Sequence, residues 1–136
     1  MLGLRSFVAI IAKHFAPLSK ALCYMDSDLK ILDFEKQAIL ALCSYDIPNS
    51  ILIDAIHKPS SISCKFYGAG YELTFSHKSL PKENASFENP NIFFRFQGSK
   101  LNVSVHISEN QLCLDVFDSN GVPSDIRSGS VDLVVT

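Results

Sequence analysis

Hydrophobic and polar residues alternate along the stretch 91–118. In its middle part, 101–107, every second residue is aliphatic and the residues between them are polar. A period of two is that of a β-strand with one buried face and one wet face. The runs on either side alternate in the same way across polar turns at 97–100 and 108–111. The pattern therefore predicts an antiparallel meander of three strands.

Apolar residues recur at helical spacing in three segments that precede the strands. In residues 3–15 the stripe predicts a helix that covers the core, with docking of a partner and lying on a membrane surface as alternatives. The clearest signal begins at Asp33, which can cap a helix, and ends near Tyr45, with Glu35 near the positive end. A short helix through 51–56 follows, although the Ile-Leu-Ile in it also fits a strand.

Strand patterns also occur before and after the meander. Residues 62–67 and 71–76 alternate on either side of Gly68-Ala-Gly70, which permits a tight reversal and predicts a hairpin. The segment 77–90 has little hydrophobic pattern, so we expect a long exposed connection there. Residues 131–135 alternate again and predict a last strand.

Helices followed by strands are typical of an α+β domain. We expect two or three N-terminal helices packed on one face of a five- to six-stranded, mainly antiparallel sheet. The 136 residues fit a single domain, 1–136, with a helical part at 1–58 and a sheet part at 61–136. The other face of the sheet is then either ordinary solvated surface or a recognition surface.

Composition narrows the possible functions. Hydrophobic residues at 47%, with ten Phe, argue against disorder, and a net charge of −2 provides no broad field for nucleic acid or an anionic membrane. The apolar run after Arg5 is shorter than a membrane span and lacks a good cleavage site, so we expect a cytoplasmic protein. Buried reduced thiols are favoured over two disulfides for the widely spaced Cys23, Cys43, Cys64 and Cys113.

Motifs for catalysis, metal binding and phosphate binding are missing from the sequence. Zinc sites usually contain a close pair such as Cys-x-x-Cys, and serine hydrolases of one large class contain a Gly-x-Ser-x-Gly elbow. Asp54 and His57 share a helix face and are expected to form a solvated pair. Gly68-Ala-Gly70 joins two strands and does not open a helix, so it is not a phosphate loop. We therefore expect no enzyme activity, no metal and no cofactor.

Aromatic residues on the sheet raise the alternative that it stacks nucleic-acid bases. RNA-binding sheets combine such rings with basic residues, and Arg95 and Lys65 are a small basic supply. The acidic residues nearby would repel a phosphate backbone and suit a basic protein partner. We predict partner contacts at Glu72, Glu83, Glu88, Glu109, Asp115, Asp118 and Asp125.

A small chain with Ser/Asn-rich strands, acidic sheet turns and no active-site motif resembles the immunity proteins of bacterial toxin systems. These include the immunity proteins of contact-dependent growth inhibition. The residues from Asp33-Phe-Glu-Lys-Gln-Ala-Ile-Leu-Ala-Leu to Gly68-Ala-Gly-Tyr-Glu-Leu-Thr-Phe also resemble small bacterial domains that run helix, short helix and hairpin. The resemblance implies a cytoplasmic inhibitor, monomeric or weakly dimeric, that binds and neutralises a cognate toxin domain, often a nuclease.

Two other functions stay open at this stage. A small-molecule-binding domain or enzyme would have a pocket between helices and sheet, lined by Phe residues and polarised by Tyr67, His106 or His57. A homo-oligomeric structural subunit would associate through the N-terminal helix or the edge strand at 131–135. As an inhibitor, the protein would bind its partner through the 77–90 loop and the sheet turns.

Overall fold

The computed structural model describes residues 29–136, so the helix predicted at 3–15 lies outside the described residues. The described part of the chain begins with two α-helices, α1 (Asp33–Cys43) and α2 (Asn49–His57). The strands that follow are β1 (Ser61–Phe66), β2 (Gly70–Ser76), β3 (Ala85–Phe96), β4 (Ser99–Ser108), β5 (Gln111–Phe117) and β6 (Asp132–Val135). A 3-10 turn (Ile126–Ser128) lies between β5 and β6.

Within residues 29–136 the strands form one sheet in the order β1-β2-β5-β4-β3-β6, and every pair is antiparallel. The predicted hairpin is β1-β2, and the predicted meander is β3-β4-β5. Because both described helices precede the strands, the α+β class is confirmed. No helix in this part of the chain is both long enough and apolar enough to cross a membrane.

Strand β3 begins earlier than the sequence pattern indicated. Segment 77–90 was predicted as an exposed connection, but its last part, from Ala85 onward, belongs to β3. The register between β3 and β4 shifts between Glu88 and Phe93. A bulge of this kind breaks the alternation of period two, and Pro90 within it lowers strand propensity further. The predicted connection is therefore wrong for its last part.

Strand β6 covers only one half of β3. The β6 residues pair with 92–95 of β3. Residues 85–88 pair with β4 on one side and, within the described part of the chain, with no strand on the other. Among residues 29–136, the first half of β3 is therefore an edge of the sheet.

The hydrophobic core draws on the helices and on the strands. Phe34 of α1 meets the ring of Phe94 of β3 edge-on, with 5.1 Å between the ring centroids. Ile39 and Leu52 belong to the same buried cluster as Leu114 of β5. The described cysteines are buried thiols, as predicted, at Cys43, Cys64 and Cys113.

A buried ionic network joins α1, β2 and the 3-10 turn. The carboxylate of Glu35 is fully buried and accepts hydrogen bonds from Arg127 at 2.8 and 2.9 Å. The Tyr71 hydroxyl and the Leu32 backbone N–H each donate to the same carboxylate at 2.8 Å. The N-cap of α1 is Leu32, one residue before the predicted Asp33. Glu35 therefore closes the start of the helix and also anchors it to distant parts of the chain.

Candidate functional site

The polar face of the sheet brings together side chains that are far apart in sequence. The registers place four residues in one row across β2, β5, β4 and β3, namely Glu72, Asp115, Ser104 and Glu88. Glu72 and Asp115 are direct neighbours in this row, and Glu88 lies two strands beyond Asp115. Three of the predicted contact residues are thus aligned on one face.

Asp115 is held inside this face by Tyr67. The Tyr67 hydroxyl donates to Asp115 Oδ1 at 2.5 Å, and Asp115 is only 5% exposed. Burial, together with the negative charge of Asp115, raises the pKa of Tyr67, so the phenol keeps its proton and remains a donor. Asp115 was predicted as a partner contact, but it is buried and bonded within the chain.

A second polar row lies next to the first, with Thr74, Cys113, His106 and Ser86. Ser86 Oγ lies 3.0 Å from His106 Nδ1, and Cys113 Sγ lies 3.5 Å from Glu72 Oε2. These rows border a small recess of about 170 Å³. Tyr67 and His106, which were predicted to polarise a pocket between helices and sheet, therefore lie on the polar face. Within residues 29–136 no three His, Cys, Asp or Glu side chains are placed to hold a metal ion.

Two other predicted contact residues, Glu83 and Glu109, lie at one end of the sheet. The Glu109 N–H donates to the Lys82 carbonyl oxygen at 2.9 Å, which holds the β4-β5 turn against the segment before β3. Glu83 follows Lys82 directly in the sequence. Glu83 and Glu109 are exposed, as is Lys82. This end of the sheet therefore offers exposed carboxylates, with some basic charge among them.

Two other predicted contact residues lie at the opposite end. The Asp118 N–H donates to the Ala69 carbonyl oxygen at 2.9 Å, beside the β1-β2 turn. Asp125 follows Val122, whose N–H donates to the Gly68 carbonyl oxygen at 3.0 Å. The seven predicted residues thus occupy three separate regions, so a single flat partner surface does not include them all.

A groove that no sequence motif indicated lies between the C-terminal end of α1 and the bulge of β3. We call it the α1-β3 groove, and its volume is about 300 Å³. Its lining consists of Ala41, Leu42, Tyr45, Asp46, Ser86, Phe87, Glu88, Asn89 and Ile92. Two of these residues carry carboxylates and none is basic. The groove therefore joins a predicted contact residue, Glu88, to an aromatic and apolar surface.

The electrostatics of the α1-β3 groove favour a cation. Asp46 and Glu88 are both exposed, and Asp46 lies just beyond the C-terminal end of α1, where the helix dipole places partial negative charge. Burial, with a smaller effect from Asp46, raises the pKa of the Cys43 thiol to about 12, so this thiol stays neutral. Nothing in the lining offsets the negative potential of the two carboxylates.

The pair expected between Asp54 and His57 is replaced by another. Asp54 Oδ2 lies 3.3 Å from Nε2 of His77, a side chain that is only 8% exposed. The Ser79 N–H donates to the other ring nitrogen of His77 at 3.0 Å. His57 is exposed. This contact fastens α2 to the segment after β2, and both ring nitrogens of His77 are engaged within the chain.

Comparison with known proteins does not assign the chain to a family. The chain matches no protein-family model, and neither the curated proteins nor the solved structures include a match. The site is therefore defined by its geometry and charge.

Proposed function

We propose that this protein is a small cytoplasmic inhibitor that binds and neutralises a cognate bacterial toxin domain. The proposed inhibitor belongs to the same kind of protein as the immunity proteins that the sequence resembles. The observation that supports it is the acidic, partly apolar α1-β3 groove, together with the exposed carboxylates of Glu83 and Glu109 at one end of the sheet. A nuclease toxin needs a basic surface to hold a phosphate backbone. Such a surface is complementary to this end of the sheet, and charge complementarity accelerates and orients association.

In the proposed arrangement, α1 and α2 cover the apolar face of the sheet and leave the acidic end accessible. The ring contact between Phe34 and Phe94 and the hydrogen bond from Tyr71 to Glu35 support this arrangement. Both contacts fix α1 relative to the strands. A rigid acidic surface loses little conformational entropy when a partner binds to it, which favours tight inhibition.

The test is titration calorimetry with the toxin domain encoded beside the gene for this protein. We expect a one-to-one complex and loss of toxin activity. The charge reversals Glu83→Lys and Glu109→Lys together should weaken binding by about tenfold or more, because both carboxylates face the basic partner. The matched control, Asp118→Lys with Asp125→Lys, changes the same charge at the opposite end and should leave affinity within about twofold.

The outcomes distinguish the inhibitor function from the position of the contact surface. Circular dichroism first establishes that both double variants are folded. Equal weakening by the two pairs of reversals would mean that the acidic end is not the contact surface. A toxin domain that neither binds nor loses activity would refute the inhibitor function itself.

A further inference from the structure

We propose that the α1-β3 groove is a binding site for one arginine side chain of the protein partner. The inference rests on the proposed function, because it names the group with which the toxin domain anchors itself. The guanidinium lies against the ring of Tyr45 and pairs with the carboxylates of Asp46 and Glu88. The aliphatic stem runs over the apolar part of the groove lining.

Charge is the first step of the argument. Asp46 and Glu88 both line the groove, and one comes just after α1 while the other is on β3. Both are exposed, so a cation between them can pair with the two carboxylates without a large desolvation cost. The end of α1 adds partial negative charge on the same side. An anionic or neutral anchor lacks these interactions.

The exposed ring of Tyr45 is the second step. Tyr45 is 95% exposed, although large aromatic side chains are usually packed against other groups. Tyrosine is enriched among the residues that dominate binding energy at protein interfaces. Guanidinium groups stack on aromatic rings, and the arginine side chain is less strongly hydrated than lysine. The ring therefore selects arginine over lysine as the anchor.

Phe93 differs from Tyr45 because cations of the same chain lie near its ring. Phe93 has two cations of its own, with Lys100 Nζ 4.6 Å and the guanidinium carbon of Arg95 5.9 Å from the ring centroid. Tyr45 has no such cation within residues 29–136, although two carboxylates line the groove beside it. The ring surface and the negative charge are thus available to a cation from a partner.

Access is the third step. In the part of the chain that the structure describes, residues 85–88 form an edge of the sheet, since β6 pairs only with 92–95. The bulge that follows brings Asn89 and Ile92 into the lining of the groove. Half-buried Phe87 and buried Ile92 provide apolar surface for the methylene groups of an arginine stem. A side chain can thus enter from the edge of the sheet.

The test uses amino-acid probes and nuclear magnetic resonance on the full chain. The probes are N-acetyl-arginine methylamide and its uncharged isostere N-acetyl-citrulline methylamide, with N-acetyl-lysine methylamide as the point-charge comparison. We expect the arginine probe to shift the backbone amides of 45, 46 and 88 in a saturable manner. Its affinity should exceed that of citrulline by about tenfold, as expected for two exposed ion pairs and one cation-aromatic contact.

Variants assign the effect to the groove. Tyr45→Ala and Glu88→Gln should each weaken the arginine probe by about threefold, and both replace exposed side chains, so the fold is retained. Glu109→Gln removes an exposed carboxylate outside the groove lining and should change nothing.

Three results would overturn the assignment: equal binding of arginine and citrulline, equal binding of lysine and arginine, or shifts that map outside the groove. The toxin titration separates this inference from the function on which it rests. A toxin complex insensitive to Tyr45→Ala and Glu88→Gln removes the arginine site and leaves the inhibitor function intact. If the groove binds the arginine probe but the protein forms no complex with the toxin domain, the inhibitor function is refuted and the arginine site is retained.

Discussion

Replacement of Arg127 by Met leaves the carboxylate of Glu35 buried without its cation. Arg127 donates to both oxygens of that carboxylate, through Nε at 2.8 Å and Nη2 at 2.9 Å. The Glu35 side chain is 0% exposed and the Arg127 side chain 16% exposed, so water does little to screen the pair. Removing one partner of a buried ion pair typically costs about 3–5 kcal/mol. The residual exposure of Arg127 places our expectation at about 3 kcal/mol, at the lower end of that range.

Urea unfolding followed by circular dichroism measures this loss of stability. The slope with denaturant should stay unchanged, since the surface exposed on unfolding does not change. Arg95→Met is the matched control, because Arg95 is exposed and its ring contact with Phe93 is long, at 5.9 Å. It should cost about 1 kcal/mol or less.

The double variant Glu35→Gln with Arg127→Met removes the uncompensated charge. It should be less destabilised than the sum of its single variants, by about 1–3 kcal/mol. Two results would contradict this expectation: additive effects of the two substitutions, or a cost below about 1 kcal/mol for Arg127→Met alone. Either result would show that Arg127 does not stabilise the buried carboxylate of Glu35.

Three further expectations concern residues on or near the sheet. Gly70→Ala places a Cβ 2.0 Å from the Val116 carbonyl oxygen, so we expect loss of the native circular dichroism spectrum; a native spectrum would mean that β2 and β5 can separate locally. Tyr67→Phe removes the donor to buried Asp115 and should cost about 1.5–3 kcal/mol in urea unfolding, whereas no loss would show that another donor replaces the phenol. The pKa of Cys43 is raised from 9.0 to about 12, so the stability that comes from keeping this thiol neutral is complete below pH 9 and is lost as pH rises toward 12. Unfolding between pH 8 and 10.5 should show this decline, and Cys43→Ala should reduce it; an identical decline in the variant would assign the effect to other groups.

Periodicity predicts most of the elements because each element buries one face. Aliphatic residues alternate with other residues along β4 and β5, and the buried ones include Leu101, Val105 and Leu114. The turn signals also act locally: Glu109 and Asn110, with φ of 53° and 64°, form the tight turn expected between two strands. Both kinds of signal lie within a few neighbouring residues, so a sequence alone reveals them.

The buried network and the groove depend on contacts between distant parts of the chain. Glu35 and Arg127 are 92 positions apart, and the acid near a helix start has the same local signature whether it is solvated or buried. The row that aligns Glu72 with Asp115 depends on the pairing of β2 with β5, which loop lengths do not determine. The acidic residues led to the prediction of a basic partner, which stays a prediction, whereas their positions on the sheet follow only from the strand order.

The bulge in β3 accounts for both the wrong prediction and the site. An uninterrupted β3 would have continued the alternation back from Phe94, and the strand would then have been recognised from its pattern. The register shift between Glu88 and Phe93 removes that regularity. The same shift places Asn89 and Ile92 in the groove beside Tyr45. Bulges concentrate near functional sites because they redirect side chains that a regular strand would hold in its pleat. Failure of the period-two pattern was therefore itself a signal, and it pointed to the part of β3 that lines the proposed arginine site.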